Sequence, residues 1–232
     1  IADTINQTIT LATFCRKVNI PFEIYNFTDS LVDSDRDYTL EYKQDELILG
    51  NFNLRNYLSS RMNSKEFDTA CWNLYYLGKQ LTNNYWGSFD QLGSTPLNDT
   101  ILATFDIYEK FKTRNNLEKV NIVYLTDGAS NSHNYVYDSE SEYGNAKGIN
   151  CNWYTSEPVS YIVDPVTKES TPIRRYVDVT NALLNHLSSR YGTNVVGFFI
   201  ADRIGGMDLQ QLVDPKNEKP YGFIKEFGKQ LR

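Results

Sequence analysis

The chain has 232 residues, 41% of them hydrophobic and 22% charged, and a formal charge of −6. That size and apolar fraction allow a sizeable core, and no Pro/Gly/Ser linker or low-complexity block divides the chain, so it reads as one domain over 1–232. The acidic balance argues against a general nucleic-acid or anionic-membrane binder, and no segment approaches the roughly 20 apolar residues of a membrane span.

The three cysteines, Cys15, Cys71 and Cys151, stand at unrelated spacings and match neither a disulfide framework nor a metal knuckle. They point to a reducing, cytoplasmic compartment. Asn6, Asn26 and Asn98 each open a glycosylation-type triplet, a pattern that also arises by chance.

In chain order, residues 1–18 read as an amphipathic helix with Ile5, Ile9 and Ala12 on one face, ended at Pro21. Phe22 to Phe27 reads as a strand closing on Thr28-Asp29-Ser30. Helix followed by strand is half of a βαβ unit, so a parallel strand is expected just before residue 1. Residues 31–63 are an edge region. There Tyr38 to Tyr42 and Glu46 to Leu49 are expected to form a hairpin about Lys43 to Asp45, and 54–61 a short helical turn. A helix is predicted over 64–81 with Ser64 as its N-cap. The aromatic loop 83–92 follows, and the Tyr/Trp cluster over 75–86 reads as core packing, although it borders the Thr95 loop and could serve an interface. After Gly93-Ser94-Thr95-Pro96-Leu97 a helix runs to about 114.

Lys119 to Ala129, KVNIVYLTDGA, organises the rest. Val120 and Ile122 to Leu125 form an almost unbroken apolar run, expected as a parallel strand covered on both faces. It ends in Thr126-Asp127-Gly128, where open α/β sheets bind ligands. Residues 130–176 are a long polar insertion with a hairpin about Asp164 to Ser170. A helix over 178–190, with Leu183, Leu184 and Leu187 inward, precedes a second buried strand over 194–201. Residues 207–213 and 223–231 read as helical. The fold class expected is α/β: a doubly wound, mostly parallel central sheet with helices on both faces, an edge hairpin and a long insertion.

GSTPL followed by a strand ending in LTDGA resembles the von Willebrand factor A (vWA) family. TLATFCRKVNIPFEIYNFTD and LTDGAS are similar to the vWA subunit of cobaltochelatase and its bacteriophage homologues. The resemblance implies that Thr95 and Asp127 are two elements of a metal-ion-dependent adhesion site (MIDAS). They would hold Mg2+ (or Mn2+/Ca2+), with a partner protein's carboxylate completing the shell. Hard oxygen ligands suit such an ion. The family's third element, D-x-S-x-S before the first helix, does not occur in this sequence, and the chain is read as N-terminally incomplete.

The resemblance further implies an intracellular interaction module, not an enzyme on its own, that works with a MoxR or cobaltochelatase-type AAA+ ATPase in a bacterial or phage-infected cell. Two alternatives stand beside it: a non-ATPase subunit of a metal chelatase or remodelling enzyme, and an extracellular adhesion domain. Ser94 and Asp99 are neighbours, not ligands. His133 and His186 lack zinc-ligand spacing, and no G-x-x-x-x-G-K phosphate loop occurs.

Overall fold

The structure, a computed structural model, describes residues 2–29, 42–48, 52–82, 95–126, 130, 135–140, 146–148, 160–174 and 176–199. All lie in a compact unit, Ile1–Phe199, distinct from Ile200–Arg232. The expected helices at 207–213 and 223–231, the loop 83–92 and residues 38–41 of the strand expected at 38–42 fall outside the described residues.

The described elements are four helices and nine short strands, a mixed α/β arrangement. Helix α1 (Ala2–Lys17) is rich in threonine, a weak helix former. Thr8, Thr10 and Thr13 direct their hydroxyls to the carbonyls four residues back, which satisfies them inside the helix. Its stop is set before Pro21. Asn19 adopts φ 55°, its amide bonds the Arg16 carbonyl, and the Ile20 amide bonds the Cys15 carbonyl, a Schellman closure. Strand β1 (Glu23–Thr28) follows as expected.

One expectation for the edge region is corrected, and residues 38–41 of the expected hairpin's first strand lie outside those described. Residues 53–59 are not a helical turn but strand β3 (Asn53–Ser59), antiparallel to β1 with Glu23 opposite Ser59 and Thr28 opposite Asn53. Leu54, Tyr57 and Leu58 have helical spacing, yet Leu58 is fully buried beneath α1 and α2, and pairing with β1 overrides the local pattern. Strand β2 (Leu47–Ile48) pairs with β5 (Tyr135–Tyr137) from the insertion, and β5 pairs in turn with β6 (Ala146–Gly148).

Helix α2 (Ser64–Thr82) is capped one residue earlier than expected. Asn63 Oδ1 accepts the Glu66 amide at 3.0 Å and Glu66 Oε2 accepts the Asn63 amide at 2.8 Å, a reciprocal capping box. Ser64 is therefore the first helical residue and not the cap. Helix α3 (Leu97–Asn115) ends at Asn116, φ 50°, and leads to β4 (Ile122–Thr126). The insertion's hairpin forms as predicted from β7 (Ser160–Val163) and β8 (Ser170–Ile173), and α4 (Tyr176–Tyr191) and β9 (Val195–Phe199) close the unit.

Strands β4 and β9 are parallel, Ile122 opposite Val195 through Thr126 opposite Phe199. Ile122, Tyr124 and Val195 pack with Ile101, Leu183 and Leu187 in one core. On the opposite face Val123, Val196 and Phe198 are 45%, 40% and 53% exposed, so among the described residues both strands, expected as buried, have only one face covered. An apolar run records which residues shun water, not what lies over them.

A second core lies between α1, α2 and the β1–β3 pair. Strand β1 serves both cores, giving Ile24 to one and Phe27 to the other. Glu23 ties it to α3 through Arg114 at 2.8 Å. No helix among the described residues is long and apolar enough to cross a membrane.

Candidate functional site

The carboxyl end of β4 is where the two sequence motifs were expected to meet. Thr95, partly buried, stands two residues before α3, and its carbonyl accepts the Leu97 amide at 2.9 Å. Pro96 follows at the cap, where its missing N–H costs nothing. Thr126, the last residue of β4, is partly buried. Asp127 lies outside the described residues, as does His133.

Beyond Asp127 the chain returns to α3. The Asn98 amide, in the first turn of α3, donates to Ser130 Oγ at 3.0 Å. Thr95 precedes Asn98 by three residues and Ser130 follows Asp127 by three, so the bond joins the flanks of the two motif loops. Helix α4 enters the same spot: the Thr180 hydroxyl donates to Asn98 Oδ1 at 2.7 Å. The amino-terminal turns of α3 and α4 thus converge at Asn98, and the partial positive charge of helix starts favours acidic groups there.

This first turn of α3 is unusually polar for a buried segment. Asn98, Asp99 and Thr100 are 6%, 4% and 5% exposed. The Thr100 hydroxyl is satisfied by the Pro96 carbonyl at 2.8 Å. Beneath them Tyr124 bonds Thr104 at 2.8 Å, and burial pushes the phenol up to about 12, with the Thr104 bond opposing in part. The arrangement offers hydroxyl and carboxylate oxygens of the kind a hard cation accepts. Among the described residues, however, no group of three or more His, Cys, Asp or Glu side chains is gathered as a metal site.

The sequence reading named Thr95 and Asp127 but missed Asn98, Ser130 and Thr180. One sign was available: Asn98 shares the helical stripe of Ile101, Phe105 and Tyr108, and a polar residue on an apolar stripe needs a buried partner. Its burial also argues against glycosylation at Asn98, since acceptor asparagines are exposed. His186 is a core histidine, buried and 2.9 Å from the Thr171 hydroxyl. Comparisons with protein-family models, curated proteins and solved structures found no significant match.

Proposed function

We propose that this chain is a vWA-type interaction module. In this reading the β4–β9 pair belongs to a doubly wound, mostly parallel sheet. Thr95 and Asp127 lend oxygens to a Mg2+ (or Mn2+/Ca2+) ion at its carboxyl edge. A carboxylate from a partner protein, of the MoxR or cobaltochelatase AAA+ type, completes the shell, and the module acts in the cytoplasm. The observation that carries the reading is the Asn98–Ser130 bond, because it draws together the ends of two loops more than thirty residues apart in the chain. Few carboxylates at such a site leave the ion electrophilic enough to take one more from outside.

Titration of the intact protein with Mg2+, followed by calorimetry and by melting temperature, tests this. The ion should raise the melting temperature, and Thr95→Ala or Asp127→Ala should remove at least about 1.4 kcal/mol of binding free energy, a tenfold loss. Neither variant should change the melting temperature in chelator by more than a few degrees. Equal Mg2+ response in the parent and both variants rejects the site.

A further inference from the structure

Helices α1 and α2 run antiparallel. Ile5 lies against Gly78, where an added Cβ would come within 3.0 Å of Ile5 Cδ1. At the other end the Arg16 guanidinium sits 4.6 Å over the Phe67 ring and bonds the Met62 carbonyl at 2.9 Å. Those two contacts put Leu11 and Trp72 at the same height on neighbouring helices. Each helix already buries one apolar stripe toward β1 and β3. Each also carries a second stripe pointing away: Leu11, Phe14 and Val18 on the α1 side, and Trp72, Tyr75 and Tyr76 on α2. These six are 50%, 56%, 47%, 69%, 37% and 65% exposed. Of the two readings of the Tyr/Trp cluster, core packing is overturned at Tyr75 and Tyr76.

From this we infer that the outer face of the α1–α2 pair binds a second copy of this chain, two helix pairs stacking about a twofold axis. Two observations select that occupant. First, the exposed part of these side chains amounts to about 600–800 Å² per copy, close to the roughly 800 Å² each partner gives to a standard stable interface. It exceeds what a typical monomer leaves open as one patch, about 300–600 Å². Second, the exposed charges on the two helices are three acids and three lysines, an even mixture. A twofold contact lays a face on itself, so a face of one sign would repel its copy, whereas a balanced face can pair with it.

Sedimentation equilibrium of the 232-residue chain over about 1–100 μM tests the inference. The parent should be dimeric with a dissociation constant in or below that range, in magnesium and in chelator alike, which separates this contact from the metal reading. Trp72→Glu with Tyr76→Glu should weaken the dimer at least 100-fold while far-UV circular dichroism is kept. Phe14→Glu, on the other helix, supplies a second disruption should the double variant fold poorly, and Lys110→Glu on α3 should stay dimeric. A parent that is monomeric throughout the range overturns the proposal, as does a dimer that Phe14→Glu leaves intact.

Discussion

The Thr180 hydroxyl donates to Asn98 Oδ1 at 2.7 Å, a bond that spans 82 residues of chain and fastens α4 to the first turn of α3. Asn98 is buried, so water is poorly placed to replace the donor. Thr180→Val keeps the shape and removes the hydroxyl, and should cost about 1–3 kcal/mol of unfolding free energy. Ser130→Ala, at a partly buried position on the other side of Asn98, should cost less, about 0.5–1.5 kcal/mol. Urea denaturation of both variants checks the order. A neutral Thr180→Val would mean that the bond does not hold the helices together.

Asp164 links the insertion's hairpin to α4. It is buried, with Arg190 Nη2 at 2.7 Å from its Oδ2, while the Val166 and Thr167 amides donate to its Oδ1 at 2.7 and 2.9 Å. Burial alone would raise its pKa, but the Thr167 amide, the Arg190 guanidinium and the Val166 amide together outweigh burial and hold it below the usual carboxylate value. Its contribution is therefore complete above about pH 4, the ordinary value of an unfolded aspartate, and is lost as pH falls through the lower folded value. Asp164→Asn should destabilise by about 2–4 kcal/mol at neutral pH, because it leaves Arg190 without its charge partner at this contact. The gap between the two proteins should close as pH drops below about 4. Chemical denaturation at a series of pH values measures it, and a gap that stays constant to pH 2 would falsify the assignment.

Gly78 decides how closely α1 approaches α2. A Cβ there would meet Ile5 Cδ1 at 3.0 Å and Ile5 Cβ and Cγ2 at 3.6 Å. The nearest atom is the flexible end of a side chain, so Gly78→Ala should be close to neutral, the crowding offset by the roughly 1 kcal/mol that alanine gains over glycine inside a helix. Gly78→Val adds bulk that Ile5 has no room to accept, and should cost about 1–3 kcal/mol. In an Ile5→Val background, which lacks Cδ1, Gly78→Ala should become stabilising. Thermal melts of this small set read the sign directly.

Much of the fold is legible along the chain because its signals are local. Ile5, Ile9 and Ala12 recur at the helical period, and α1 buries Ala12 and packs Ile5 and Ile9 against the same core. Tyr161-Ile162-Val163 and Thr171-Pro172-Ile173 flank a polar turn, and β7 and β8 pair there. The apolar runs at 122–126 and 195–199 become strands, and their shared apolar character correctly suggested a parallel pair. At the candidate site, Thr95 stood out only through the resemblance of GSTPL to the vWA family; its local pattern, a threonine before Pro96, marks no more than the start of a helix, which α3 confirms.

Other features depend on contacts between distant residues, and there the local signal misled. Leu54, Tyr57 and Leu58 carry helical spacing in a segment that becomes a strand because β1 offers a ladder to join. Leu47 and Ile48 find their partners, Val136 and Tyr135, far along the chain in β5. Helical spacing did pick out the stripe of α2 that faces the sheet, Phe67, Leu74 and Leu77, but it left open that Trp72 and Tyr76 would stay exposed. Asn98 looked like a surface triplet until α4 and Ser130 enclosed it.

By itself, then, the sequence determined where the four helices and the longer apolar strands lie, and which oxygen-bearing side chains adjoin the end of β4 along the chain, since these follow from side-chain chemistry and spacing within a few residues. Only the tertiary structure decided which strands pair, which apolar faces are covered, and that Asn98, Ser130 and Thr180 meet. Those outcomes arise when segments distant in the chain compete to bury the same surface and to satisfy the same buried polar groups, a competition that no local window contains.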